Sequence, residues 1–143
     1  MKEQTFVMIK PDAWKRGLVG EIISRLENKG FGIVNMRVHC MTIQDAEELY
    51  EEHRGKDFYN HLIKFTAGTP VVVMIVVRED AVKTARRLAG LTHPLDQLPG
   101  TIRGDYACGL FHENLIHTSD SNESFRRESA IFFPQAKVVE AWE

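Results

Sequence analysis

The stretch Ile33-Val34-Asn35-Met36-Arg37-Val38-His39-Cys40 alternates: Val34, Met36 and Val38 point one way, Asn35, Arg37 and His39 the other. A period of two is the period of a strand, and an apolar face opposite a polar one predicts an edge or half-exposed strand with one buried face, as antiparallel sheets carry. Upstream, Thr5 to Lys10 reads as a strand with Phe6, Met8 and Lys10 on one face and Val7 and Ile9 on the other; Pro11 ends it. Between the two, Leu18, Val19, Ile22, Ile23 and Leu26 recur at helical spacing, with Gly30 as the stop. Downstream, Thr42 with Asp45 three residues on opens a helix whose stripe is Ala46, Leu49, Tyr50 and His53. A short, partly apolar segment around Phe58 to Ile63 reads as another helix.

Val71 to Val77 is a continuous apolar run, β-branched except for Met74, which predicts a central strand covered on both faces. Asp80 can cap a helix with Val82, Ala85 and Leu88 inward and Gly90 at its end. From Leu91 to Glu113 the periodicity disappears among Pro94, Pro99, Gly100, Gly104 and Gly109, and so long a loop inside a compact domain is usually functional. Leu115 to His117 is a short strand, Asp120 with Glu123 resembles a capping box for a last helix, and Pro134 ends that helix. The order is the βαββαβ pattern of a ferredoxin-like α+β sandwich, an antiparallel sheet covered by helices, with extra helices set into it. A parallel doubly wound sheet is the competitor, and the alternation of residues 33–40 tilts the reading against it.

One compact domain over 1–143 is expected from 143 residues. The composition, 43% hydrophobic and 27% charged, is that of a soluble protein. A net charge of −2 argues against a dedicated nucleic-acid binder, so any positive charge that holds phosphates must be local. Cys40 and Cys108 make neither a zinc site nor a disulfide framework. Met1-Lys2-Glu3-Gln4 runs straight into the first strand without a signal-peptide core, and no apolar run is long enough to span a membrane. The expectation is a cytoplasmic protein with reduced thiols.

The chemistry concentrates in Asn114-Leu115-Ile116-His117-Thr118-Ser119-Asp120. His117 ends a short apolar run, and small hydroxyl and acidic residues follow. On the last helix Glu128 is three residues after Phe125 and three before Ile131, which puts a carboxylate on the buried stripe. A carboxylate there needs a partner, and His117 is the candidate: such a contact fixes the tautomer and leaves the other ring nitrogen free to attack. The spacing alone is equally satisfied by a structural Glu–His hydrogen bond. Lys10 at a strand end could face a cleft or snorkel to solvent. Arg86 beside Ala85 could be solvated surface, whereas Arg103 lies in the Gly/Pro-rich loop, where amides and a guanidinium can cradle an anion. No P-loop sequence occurs, and the other histidines lack zinc-type spacing. Phe58 and Leu62, one helical turn apart, are either a base clamp or core.

Three motifs together resemble the nucleoside diphosphate kinase family over nearly the whole chain, Thr5 to about Phe133: Ile-Lys-Pro-Asp at 9–12 with Arg16-Gly17-Leu18-Val19-Gly20, Pro-Gly-Thr-Ile-Arg-Gly-Asp at 99–105, and Asn-x-x-His-x-Ser-Asp at 114–120. The resemblance implies a ping-pong transfer of a γ-phosphoryl group through a phosphohistidine on His117, with Nδ1 as attacking atom. It implies that Glu128 and Ser119 orient the imidazole. Lys10, Tyr50, Arg86, Thr92 and Arg103 correspond to phosphate and sugar contacts, and Asn114 to a ribose contact. Phe58, with Leu62 beside it, corresponds to the stacking platform for the base. It further implies Mg2+ held mainly by the nucleotide phosphates rather than by a protein metal site, and homo-oligomers, most often hexamers, with tetramers and dimers known.

The chain departs from the family pattern in places. Thr118 stands where Gly or Ala is usual and could crowd the attacking ring. His93 replaces a common Asn, and Ala13-Trp14 stand where Gly and a smaller residue are common. Ten residues separate Arg103 from Asn114, one more than is usual, which leaves Phe111 without an assignable role. None of these removes a catalytic group, so activity is expected. A silent nucleotide-binding module and a single-strand-binding sandwich are the rivals from other classes.

Overall fold

The computed structural model describes residues 2–109 and 112–135; Phe111 lies outside the described residues. Its strands are β1 (Lys2–Ile9), β2 (Gly32–Cys40), β3 (Pro70–Glu79) and β4 (Ile116–Thr118), in the order β2-β3-β1-β4 with every neighbouring pair antiparallel. Its helices are α1 (Pro11–Lys15), α2 (Val19–Asn28), α3 (Ile43–Leu49), α4 (Tyr59–Thr66), α5 (Ala81–Ala89), α6 (Ile102–Tyr106) and α7 (Asn122–Phe132). This is the ferredoxin-like sandwich, with α3 and α4 set between β2 and β3 where the simple pattern has a hairpin.

Strand alternation divides the interior into two cores. Val7 and Ile9 of β1 join Val72, Met74 and Val76 of β3, with Ile22, Leu26 and Ala85 from the helices of that side. Phe6 and Met8 face the other way, towards Val71, Val73, Leu49, Leu62 and Phe132. Each such side chain contributes about 1.5–3 kcal/mol when fully buried. Covering both faces is therefore what makes a continuous apolar run such as β3 favourable in the middle of the sheet. No helix among the described residues is long and apolar enough to cross a membrane.

Several local expectations fail for identifiable reasons. The apolar face of β2 is not buried: Met36 is 50% and Val38 58% exposed. These two pair with Met74 and Val72 and so share the face of α2 and α5, yet neither joins the core on that face. A bulge between Ile33 and Asn35 also interrupts the alternation at Val34. Pro11 does not merely end β1 but occupies the first turn of α1, where its missing N–H costs nothing. Asp80 precedes α5 but makes no side-chain cap, because its backbone is left-handed (φ 50°); Glu3 Oε1 accepts from Val82 N at 2.7 Å instead. The cap of α7 is Ser121, accepting from Ser124 N, one residue beyond the expected Asp120. The long loop holds a 3-10 turn at Pro94–Asp96 and helix α6, capped by Thr101.

Candidate active site

His117 and Glu128 meet as the buried stripe requires. Antiparallel pairing sets His117 opposite Met8, and the ring emerges beside Phe6 on the α7 side of the sheet. Glu128, 1% exposed, receives His117 Nε2 at 2.9 Å and Ser119 Oγ at 2.7 Å, both on Oε1. Burial opposes the charge on Glu128, but His117, the Ser119 hydroxyl and Arg127 outweigh it and hold the carboxyl below its usual range. An ionised carboxylate has no proton to give, so Nε2 must donate. In the neutral ring this leaves the lone pair on Nδ1, and among the described residues no hydrogen bond occupies that nitrogen.

Thr118 does not crowd this ring. It pairs with Val7 while His117 pairs with Met8, so the two side chains leave opposite faces of the sheet. Its carbonyl accepts from Arg86 Nη1 at 3.3 Å. Arg86 is solvent-exposed yet lines the same cavity, so its position at the helix edge serves the site.

That cavity, about 330 Å³, is bounded by residues from every motif. Lys10, Arg86, Thr92, Arg103 and Asn114 line it together with Tyr50, Phe58, Leu62, His117 and Glu128. Ser119 stands behind Glu128. Lys10 does not snorkel: it is 6% exposed and donates to Asn114 Oδ1 at 2.9 Å. Burial, with Arg103 adding repulsion, lowers its pKa to about 7, although Asp12 pulls the other way. Tyr50, 4% exposed, presents its ring edge-on to His117 at 6.1 Å, and burial pushes its phenol up, so it stays protonated.

Arg103 is more constrained than an anion-binding loop arginine need be. Nε donates to Asn114 O at 3.2 Å, Nη1 to Gly90 O at 2.7 Å, and Nη2 to Ile116 O. Three of the five N–H donors of a guanidinium thus tie the end of α5 to β4. Burial, with Arg86 nearby, pushes its pKa down to about 10, which still leaves it charged at neutral pH.

Two contributions escaped sequence reading. Asp12 Oδ2 accepts from Leu115 N at 3.1 Å and Lys10 N donates to Leu115 O at 2.9 Å. Together they hold Leu115 in a left-handed conformation (φ 77°) that costs a branched residue about 1–2 kcal/mol. This turn places Asn114 and His117 on either side of it. The signal available was Asp12 itself, two residues from the buried lysine. The second is an imidazole cluster: His53 and His112 lie 5.3 and 5.1 Å from the Phe58 ring. Burial lowers the pKa of both, and Lys56 for His53 and Lys10 for His112 act in the same direction. Nothing in their spacing announces this.

An antiparallel sandwich that aims an oriented imidazole into a cavity walled by buried cations defines an enzyme for anionic, phosphate-bearing substrates. The model of the nucleoside diphosphate kinase family matches residues 3–138. A nucleoside diphosphate kinase of Saccharolobus solfataricus is 49% identical over 136 residues, 95% of this chain and 98% of that one. One from Methanocaldococcus jannaschii is 48% identical over 98% of this chain and 99% of its own length. Among solved structures, a halophilic nucleoside diphosphate kinase from Halobacterium salinarum in complex with CDP superposes with a TM-score of 0.89 at 41% identity, covering 99% of this chain and 98% of that one. The Aquifex aeolicus enzyme superposes at 0.90 and 32% identity, covering 97% and 100%. The chain belongs to the nucleoside diphosphate kinase family, enzymes that move phosphoryl groups between nucleotides.

Proposed function

We propose that His117 is the phosphoryl carrier. In the first half-reaction Nδ1 attacks the γ-phosphorus of a nucleoside triphosphate, the bond to the β,γ-bridging oxygen breaks, and the diphosphate leaves with the electron pair. In the second, a terminal phosphate oxygen of another nucleoside diphosphate attacks the phosphohistidine and the P–N bond breaks. Phosphoryl transfer depends on in-line positioning and charge neutralisation, and the cavity supplies both. Glu128 and Ser119 fix the ring, and Lys10, Arg86 and Arg103 offset the phosphate charge. Thr92, Tyr50 and Asn114 contact phosphate and sugar, while Phe58, with Leu62 beneath it, offers a stacking face that any base can use. The carrying observation is the 2.9 Å contact from His117 Nε2 to a buried, ionised Glu128.

Magnesium enters with the nucleotide in this reading. Glu52 and Asp120, hard oxygen donors, line the same cavity and would suit a hydrated magnesium ion. An ion held there would supply positive charge to the phosphate oxygens. The site works in the cytoplasm and in a homo-oligomer, a hexamer by the family pattern. The outer edge of β2, with Met36 and Val38 exposed, and the exposed Leu91, Leu95 and Leu98 support association. A mass measurement in solution reads the copy number.

The test is incubation with γ-labelled ATP and magnesium. An acid-labile phosphoenzyme that discharges on adding a nucleoside diphosphate is expected; no label on the wild-type protein would sink the reading. Glu128→Ala is expected to cut turnover about tenfold or more through loss of ring orientation, with nucleotide affinity little changed. Wild-type turnover in that variant would refute the orienting role.

Lys10 gives a pH signature. Its free-state pKa of about 7 means that it is largely neutral at pH 8.5, whereas a bound phosphate favours the charged form. Binding above pH 7 therefore takes up a proton, and nucleotide affinity falls by up to about tenfold per pH unit until the pKa of the complex is reached. Calorimetry at pH 7.5 and 8.5 in two buffers of different ionisation enthalpy reads the proton. The same affinity at both pH values, with no proton taken up, would contradict the neutral lysine, and Lys10→Met is expected to abolish the uptake.

A further inference from the structure

Glu128 Oε1 takes both His117 and Ser119, which leaves its second oxygen to be explained. The terminal torsion of a glutamate is broad and roughly two-fold, so two donors on one oxygen do not fix the plane of the carboxylate. Among the described residues the donor facing Oε2 is Arg127 Nη2, at 3.5 Å. An arginine on the outer side of a helix is ordinarily solvated surface, but this one is anchored. Nη1 donates to Glu48 O at 2.7 Å and Nη2 to Leu49 O at 3.3 Å. These are carbonyls at the C-terminal end of α3, which lack intrahelical donors and favour a cation. The next residue is Tyr50, whose ring stands edge-on to His117.

We propose that Arg127 is a positioning residue for phosphoryl transfer: one guanidinium ties the end of α3, and hence Tyr50, to the carboxylate that orients His117. Tyr50, just past the end of α3, and Glu128, on α7, reach the imidazole from separate elements, and Arg127 bonds the last carbonyls of α3 and the Glu128 carboxylate. Its charge also favours the ionised carboxylate that obliges Nε2 to donate. The inference rests on His117 as nucleophile and Glu128 as its orienting group. Arginine suits the task better than lysine because a planar fork can serve two carbonyls and a carboxylate at once.

A double-mutant cycle tests it, read as the rate of phosphoenzyme formation and as nucleotide affinity. Arg127→Met is expected to slow phosphorylation of His117 about tenfold while nucleotide affinity stays within about twofold. In the Glu128→Ala background the same substitution is expected to cost less than about twofold, since residues acting through one group are not additive. Arg127→Lys, which keeps the charge and part of the clamp, is expected to recover several-fold of the loss, and it carries the test if the methionine variant folds poorly. The same factor lost in both backgrounds, or a loss confined to affinity, would overturn the positioning role. A Glu128→Ala protein that phosphorylates at the wild-type rate would instead remove the reading of Glu128, and this inference with it.

Discussion

His117→Ala is expected to lose at least about four orders of magnitude in turnover, to take up no label from γ-labelled ATP, and to bind nucleotides nearly as the wild type does. The imbalance follows from the geometry. The ring contributes Nδ1 to bond making and Nε2 to Glu128, while the cations of the cavity hang from other elements: Lys10 from the start of α1, Arg86 from α5 and Arg103 from α6. Removing the imidazole leaves Ser119 on Glu128 Oε1 and Arg127 on Oε2, so the carboxylate keeps partners on both oxygens. Label transfer with the wild type beside binding curves for both proteins is the measurement. A phosphoenzyme that persists in the variant would move the carrier to another residue, and the imidazoles nearest the cavity, His53 and His112, would be the ones to replace next.

The histidine–glutamate pair was legible because it rests on two strong signals, a three-residue helical spacing and the cost of burying a charge. Glu128 had to find a partner, and a strand end was within reach. The two cores were legible for a similar reason: alternation in Thr5 to Lys10 separates Phe6 and Met8 from Val7 and Ile9, and the structure keeps that division. What could not be read depends on contacts distant in sequence. The cap of α5 comes from Glu3, seventy-nine residues from Val82, because a left-handed backbone turns Asp80 away. Helix α6 is short and contains Gly104, an unfavourable residue for a helix. The glycine is there because a Cβ would collide with the carbonyl of Leu98 and crowd the Thr101 hydroxyl that caps the helix. Close packing of the loop on itself was thus written as a broken helical pattern. The exposed face of β2 shows the converse, since alternation reports what a strand can bury and not whether this chain alone covers it.

Arg103 carries the second large effect. Arg103→Met is expected to destabilise the protein by about 3 kcal/mol or more, because Gly90, Asn114 and Ile116 each lose a carbonyl hydrogen bond from a charged donor, and one such bond contributes about 1.5–3 kcal/mol. For a chain of this size that corresponds to a melting temperature lower by about 10 °C. Turnover is expected to fall with it. Gly90 precedes the loop that carries Thr92, and Asn114 holds Lys10, so both the loop and the lysine lose their reference to β4. At Gly90 itself, a φ of 93° and the Thr101 side chain leave no room for a Cβ. Arg103→Lys separates charge from geometry. It keeps a cation in the cavity, but a single ammonium cannot span carbonyls on α5, on the turn at Asn114 and on β4. If the charge facing the phosphates were the main contribution, the lysine variant would keep its melting temperature and most of its activity. If the three-way tie is, as the bond directions indicate, lysine should lose most of the stability that methionine loses. Thermal melts of the two variants, with and without nucleotide, decide between these outcomes.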